Sequence, residues 1–221
     1  MWYLLIFKQY VYLLILYQIN NKNMIICENL LFSHGAELQN YDSGDFIFEE
    51  GTTPKYYLQI KTGTVKLNSF IEDGREFIHG IPFDGHCFAE TYVFQNKKYA
   101  VNAIAITDCE IIRLEKKRIV QLLIKNPELF LNMYSYTADR MHYRYVIAAP
   151  FSFQDPLTKL SLIMNHIKNN FGFIEKFSFA IPYTRQQLAS LTGMRIETVI
   201  RAIKKMEQQN IVKIANSKIY I

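Results

Sequence analysis

Residues Thr184 to Gln209 read T-R-Q-Q-L-A-S-L-T-G-M-R-I-E-T-V-I-R-A-I-K-K-M-E-Q-Q, a pattern that predicts two helices joined by a tight turn. Thr184 is placed to cap the first helix, and Gln187 three residues on completes a capping box. Leu188 and Leu191 give that helix a short apolar edge. Gly193 then supplies a residue that tolerates positive φ at the turn. The second helix is expected to run about four turns, to the neighbourhood of Asn210. Val199, Ala202, Ile203 and Met206 recur at three-to-four spacing and so face inward, while Glu197, Arg201, Lys204 and Gln208 form a stripe on the outward face.

The outward stripe has the chemistry of a helix that reads bases in double-stranded DNA. A carboxylate such as Glu197 accepts from the exocyclic amine of cytosine, and a guanidinium such as Arg201 reaches O6 and N7 of guanine with two parallel bonds. Thr184, Arg185 and Thr198 are placed to hold phosphates. A solvated helix with an i, i+4 Glu–Arg pair is the simpler alternative. The capped short helix, glycine turn and second amphipathic helix together favour DNA.

Charge distribution agrees with this reading. From Pro150 to Ile221 there are ten Lys/Arg against four Asp/Glu, +6, which leaves −1 for the first 149 residues of a chain whose net charge is +5. A basic C-terminal third after a near-neutral first part fits a DNA-binding module joined to something else. At 221 residues, half of them hydrophobic, the chain is long enough for two domains with buried cores. The three cysteines Cys27, Cys87 and Cys109 are odd in number and widely spaced. They indicate neither a zinc site nor a disulfide framework, and they fit reduced thiols in the cytoplasm.

Residues 1–23 are an apolar extension, with a run from Trp2 to Tyr17 interrupted by Lys8 and Gln9. The run is about as long as a membrane span. It is read as lying upstream of a start at Met24, with a membrane anchor as the alternative. From Leu38 to Leu114, short β-prone runs alternate with glycine turns: Phe46–Phe48, Tyr56–Ile60, Val65–Ile71, Phe77–Ile81 and Val101–Ile106. Glu72-Asp73-Gly74 marks a hairpin between two of them. This is the texture of a sandwich, barrel or jelly roll. Residues 115–125 predict a short helix, followed by a long one from Asn126-Pro127 that Pro150 should end. Phe130, Met133 or Tyr134, Thr137, Met141 and Arg144 of the long helix approach coiled-coil spacing. After a hinge at 151–155, a helix is expected over 156–170 and a strand over Phe177–Ile181. A terminal hairpin of Ile211–Ile214 and Ile219–Ile221 completes a winged helix-turn-helix.

In this order, the elements resemble the Crp/Fnr family of bacterial transcription regulators. The most specific stretches are T-R-Q-Q-L-A-S-L-T-G, E-T-V-I-R-A-I-K-K-M-E-Q-Q-N-I-V and K-K-R-I-V-Q-L-L-I-K-N-P-E-L. The resemblance implies an α+β architecture. It comprises a cyclic-nucleotide-binding-like β-roll sensor domain over 24–125, a dimerisation helix and hinge over 126–150, and a winged helix-turn-helix over 151–221. It also implies a homodimer on a pseudo-palindromic DNA site, in contact with RNA polymerase. Glu197 and Arg201 fall on the family's base-reading positions, and Thr184, Arg185, Gln186 and Thr198 on its backbone-contacting ones. Lys204, on the same outward stripe, is taken as a further backbone contact. Ile196 stands where the cyclic-AMP-responding members often carry arginine. It replaces guanine reading with contact to a thymine methyl, which shifts the expected half-site toward the Fnr type.

The resemblance weakens in the sensor half. The family's cyclic-nucleotide cassette uses Gly-Glu for the ribose and Arg-Ser for the phosphate. Here Ala89-Glu90 and Tyr99-Ala100 stand in those places, and Arg144 and Tyr145 replace the hydroxyl pair of the dimer helix. Glu90, Tyr99, Ala100, Arg144 and Tyr145 therefore outline a candidate effector pocket that lacks the cation a buried phosphate requires. Lys97 and Lys98 stand nearby. Cyclic AMP in the usual mode is not expected, nor is an iron–sulfur cluster, because Cys27 stands alone. Haem on His34, His79 or His86 is a weaker alternative to ordinary structural roles. No cofactor and no catalytic group is assigned. A sensing or scaffold protein with a degenerate winged helix is the competing reading, and a cupin-like enzyme lacks its H-x-H grouping.

Overall fold

The computed structural model describes residues 24–151 and 155–221, so the apolar extension and the centre of the expected hinge lie outside the described residues. The described chain forms two compact units, one of 24–69 and 79–139, the other of 70–78 and 140–221.

Chain order in the first part is α1 (Glu28–Ser33), β1 (Glu37–Tyr41), β2 (Phe46–Phe48), β3 (Tyr56–Thr62), β4 (Val65–Phe70), β5 (Glu76–Gly80) and β6 (Cys87–Phe88). A 3₁₀ turn at Glu90–Phe94, β7 (Asn102–Ala105), β8 (Cys109–Glu115), α2 (Lys116–Lys125) and α3 (Pro127–Phe151) follow. The strands make two four-stranded sheets, ordered β1-β8-β3-β6 and β2-β7-β4-β5. The hairpin expected at Glu72-Asp73-Gly74 joins β4 and β5, closed by bonds between Ile71 and Arg75 (3.0 Å) and between Gly74 and Ile71 (2.8 Å).

The strand with two long neighbours, β8, is not among the runs picked out from the sequence. Its antiparallel register sets Glu37 opposite Arg113, and their side chains pair at 2.8 Å. Cys109, Ile111, Ile112 and Leu114 are all buried, so both faces of the strand are covered and its pattern does not alternate. Phe48, Leu58, Ile60, Phe88, Tyr99 and Ile111 lie in one core cluster, while Tyr57, Cys87, Ile112, Ile119, Leu122 and Met133 belong to a second. A buried amide ties the segment before α1 to the roll: Gln59 Nε2 donates to the Ile26 carbonyl at 2.8 Å, and its Oε1 accepts from the Ile26 N–H at 3.1 Å. One side chain thereby satisfies both polar groups of a buried backbone residue.

Two expectations about α3 need correction. It continues through Pro150 to Phe151 instead of ending before the proline. A proline in the last turn forfeits one intrahelical bond without having to interrupt the preceding turns. Two positions of the expected outward seam also turn inward. Met133 is buried in the core, and Thr137 Oγ1 donates to Glu90 Oε1 and to the Met133 carbonyl, both at 2.9 Å. Of the expected positions Phe130, Tyr134, Met141 and Arg144 are exposed, and Leu131, Ala138 and Tyr145 are exposed as well.

The C-terminal part contains α4 (Pro156–Asn170), α5 (Arg185–Thr192), α6 (Ile196–Gln208), β9 (Lys213–Ala215) and β10 (Lys218–Tyr220). The Asp155 carboxylate caps α4, accepting from the backbone of Thr158 at 2.9 Å and from its hydroxyl at 2.6 Å. Leu160, Ile163, Met164 and Ile167 of α4 pack with Leu188, Val199, Ala202, Ile203, Met206, Ile219 and Ile221 in one core. The strand expected over Phe177–Ile181 shortens to an antiparallel bridge centred on Ala180 and Tyr220, closed by backbone bonds of Phe179 with Ile221 and of Ile181 with Ile219. Phe177 itself lies in the left-handed region at φ 60°, which an extended strand does not allow.

Candidate nucleic-acid interface

The two-helix stretch folds as its sequence dictates. Thr184 Oγ1 accepts from the Gln187 N–H at 3.1 Å, and Gln187 Oε1 accepts from the Thr184 N–H at 2.9 Å. This reciprocal capping box fixes where α5 begins. At its end Gly193 has φ 65° and its N–H donates to the Ala189 carbonyl, a left-handed C-cap that turns the chain toward α6. Inside, Thr192 Oγ1 donates to the Leu188 carbonyl at 2.6 Å, so this buried hydroxyl is satisfied.

One face of α6 is fixed by burial: Val199, Ala202, Ile203 and Met206 are all at most 4% exposed. Glu197, Arg201, Lys204 and Gln208 are exposed on another face. Among the described residues no ion pair joins Glu197 to Arg201. The intrahelical pair of the simpler alternative is thus not made. Thr198 is half-buried, and Ile196 is half-buried against the core, which leaves Ile196 a smaller free face than Glu197 has. Thr184 and Gln186 are exposed. Arg185 is half-buried, and its Nη1 donates to the Ser217 carbonyl at 3.1 Å.

That carbonyl belongs to the wing. Strands β9 and β10 pair Lys213 with Tyr220 and Lys218 with Ala215. Between them Asn216 and Ser217 take φ 49° and 63°, the two left-handed residues of a type I′ hairpin turn. Glu207 Oε1 accepts from the Ile214 N–H at 3.0 Å, tying β9 to α6. This wing contact of Arg185 was not anticipated from sequence, because 32 residues separate the partners.

Glu90 is 3% exposed and holds Thr137. The buried neighbourhood of Glu90 includes Tyr57, whose hydroxyl donates to Gln59 Oε1 at 2.6 Å. Burial pushes the Tyr57 phenol well up, and the charges of Cys87, Glu90 and Tyr136 add to the effect. Tyr99 is stacked on Phe48 with ring centroids 3.7 Å apart and lies edge-on to Tyr92 at 5.0 Å. Burial, then the neighbouring Tyr92 and Tyr41, push Tyr99 up to about 12. Ala100 is exposed and its N–H donates to Tyr92 Oη at 2.9 Å. Arg144 and Tyr145 are exposed on α3, and Lys97 and Lys98 on a loop. The three histidines of the β domain have local partners: His34 with the Leu30 carbonyl, His79 with Ser69, His86 with the rings of Phe83 and Tyr136. Among the described residues no cluster of three His, Cys, Asp or Glu could hold a metal ion, and no helix is long and apolar enough to cross a membrane.

Comparison with known proteins agrees with both parts. A cyclic nucleotide-binding domain model matches residues 38–126, and a Crp-like helix-turn-helix domain model matches residues 161–221. The cAMP-activated global transcriptional regulator CRP of Haemophilus influenzae is 28% identical over 166 residues, 74% of this chain and 73% of its own. The Salmonella typhimurium regulator of the same name is 24% identical over 82% of this chain and 87% of its own. Among solved structures, the c-di-GMP-responsive global regulator CLP of Xanthomonas campestris shares the fold, with a TM-score of 0.73 at 18% identity, covering 87% of this chain and 96% of its own. With a cyclic-nucleotide-binding-type β domain, a long helix and a Crp-like helix-turn-helix DNA-binding domain in sequence, the chain belongs to the Crp/Fnr family of transcription regulators.

Proposed function

We propose that the chain regulates transcription as a homodimer on a pseudo-palindromic DNA site, with Glu197 and Arg201 of each protomer reading a G·C pair in each half-site. The observation that carries this is the exposed Glu197/Arg201 stripe, held in place because Val199, Ala202, Ile203 and Met206 on the other face of α6 are buried in the core. Glu197 accepts from cytosine and Arg201 donates to guanine. The exposed edge of Ile196 meets a thymine methyl. Thr184, Arg185, Gln186, Thr198 and Lys204 hold phosphates on either side. The pairing surface is the α3 seam of Leu131, Tyr134, Ala138, Met141 and Tyr145, whose alternating three- and four-residue spacing is that of a two-stranded coiled coil. A dimer of this kind sets its two recognition helices about one turn of DNA apart. Family membership extends the reading to contact with RNA polymerase.

The β domain responds to something other than cyclic AMP held in the usual mode. Family members differ in their signals, one relative being cAMP-activated and one structural neighbour c-di-GMP-responsive. Here the acid that would meet a ribose, Glu90, is engaged by Thr137. The place of the phosphate-binding arginine is filled by Tyr99 in an aromatic stack. A phosphate buried there would lack a cation, a costly arrangement.

Selection of bound sequences from random duplex DNA tests the first part. An inverted repeat with a G·C pair in each half is expected, and recovery of no such repeat refutes the base-reading assignment. Calorimetry with cyclic AMP tests the second. No binding is expected at micromolar concentration, and a micromolar isotherm overturns it.

A further inference from the structure

We propose that the 3₁₀ turn Glu90–Phe94 fixes the axial and rotational register of α3, and through it the face of α3 that pairs in the dimer. This rests on the homodimer reading above and gives Glu90 and Phe94 a positioning role within it.

The turn and the helix meet at three levels. At the first residue of the turn, the Glu90 carboxylate accepts from Thr137 Oγ1 at 2.9 Å. Val93 and Met133, 3% and 2% exposed, belong to one core cluster. At the last residue, Phe94 stands edge-on to Phe130, with ring centroids 5.7 Å apart and planes at 85°. Glu90, Val93 and Phe94 thus climb the turn as Thr137, Met133 and Phe130 descend the helix, so the two run antiparallel. Phe130 and Thr137 stand two helical turns apart, about 10.5 Å along the axis, while the 3₁₀ turn rises about 8 Å from Glu90 to Phe94. Side chains close the small difference, and contacts at both ends fix rotation as well as height. The apolar contacts by themselves tolerate sliding, but the polar one does not. A slip of four residues brings Met133 or Met141 to the place of Thr137, and a thioether cannot donate to a carboxylate. A buried carboxylate that loses a donor is penalised, and a buried polar contact of this kind specifies register between packed helices. The consequence lies on the other side of α3. Phe130 stacks on Tyr134 at 6.2 Å, and Tyr134, with Leu131, Ala138 and Met141, is exposed. Turning α3 on the β domain would carry that seam away from a partner helix.

The test compares full-length wild type, Thr137→Val, Thr137→Ser and Phe94→Ala by sedimentation velocity and by fluorescence anisotropy. The duplexes are a single half-site, the selected operator, and operators whose half-sites are moved closer or further apart by a base pair or two. Thr137→Val is expected to weaken dimerisation and operator binding at least about tenfold, the scale of a hydrogen bond to a charged group, with half-site affinity within about twofold of wild type. Its preference for one half-site spacing should broaden. Thr137→Ser, which restores the hydroxyl, should recover wild-type behaviour on every duplex, and Phe94→Ala, at an exposed ring, should repeat the Thr137→Val pattern more weakly. Equal losses on half-site and operator, or an unchanged spacing preference in Thr137→Val, assign the contact to general stability and overturn the register role. If circular dichroism shows Thr137→Val unfolded, Phe94→Ala decides, and operator affinity and spacing preference equal to wild type overturn the proposal. A wild-type protein that sediments as a monomer overturns the homodimer reading itself, and the register role with it.

Discussion

Replacing Thr184 by aspartate separates folding from DNA binding at one atom. The Thr184 hydroxyl oxygen accepts from the Gln187 N–H, a role aspartate fills equally well at an N-cap. A carboxylate at this end of α5 also gains about 0.3–1 kcal/mol from the helix dipole. Thr184→Asp should therefore melt no lower than wild type. On DNA the outcome reverses. Loss of a hydroxyl–phosphate hydrogen bond costs about 1 kcal/mol. A carboxylate about 5 Å from a phosphate in water-like dielectric adds about 0.8 kcal/mol of repulsion. The sum is about 2 kcal/mol per half-site and about 4 kcal/mol for a homodimer, with screening by salt reducing it. Operator affinity should fall roughly 100- to 1000-fold. Thermal unfolding and anisotropy titration at fixed salt measure the two effects on the same sample. An unchanged melting temperature with affinity within about twofold of wild type would refute the placement of Thr184 at the backbone.

Other consequences follow from the same coordinates. Ala89 sits at φ 55°, a left-handed conformation that costs about 1–2 kcal/mol with a Cβ. After about 0.4–1 kcal/mol for the greater freedom of glycine in the unfolded chain, Ala89→Gly should stabilise the β domain by about 0.5–1 kcal/mol, read from urea unfolding; a destabilised variant would show that Ala89 is not strained. Burial raises the Tyr99 phenol to about 12. Folding thus favours its neutral form, and the associated stability is complete below the unfolded value near 10 and lost as pH rises toward 12. Urea midpoints should fall across that window and fall less in Tyr99→Phe, which keeps the stack on Phe48; parallel declines would contradict the assignment. Met141 lies exposed in the α3 seam, so Met141→Lys should shift sedimentation toward monomer and abolish binding to a two-half-site operator, whereas an undiminished dimer would place the interface elsewhere.

The DNA-binding part was the most legible in sequence, because its signals are local. The capping box of Thr184 and Gln187, the left-handed Gly193 and the spacing of Val199, Ala202, Ile203 and Met206 each constrain one or two turns of chain, and α4 begins at Pro156 after the Asp155 cap. What escaped notice depends on distant partners. The run Cys109–Glu115 lacks a clean alternation because both of its faces are buried, and its central place in a sheet is set by β1 and β3. Two expected seam positions of α3 are claimed by the β domain, Met133 by its core and Thr137 by the Glu90 carboxylate. No helical periodicity distinguishes an inward face toward one's own domain from one toward a partner. Phe177 failed as a strand residue because a run of β-prone side chains does not reveal a left-handed backbone at its start.

The central claim is that Arg201 reads a base and does not merely attract phosphate. It is tested most directly by comparing wild type and Arg201→Ala on the selected operator, on operators with each G·C pair replaced in turn, and on random duplex. A bidentate arginine–guanine contact contributes about 1–3 kcal/mol per half-site. Arg201→Ala should lose that affinity on the selected site and become indifferent to the base at one symmetric pair of positions. Its affinity for random DNA should fall far less. Equal losses on specific and random DNA, with the wild-type preference at every position retained, would contradict the account.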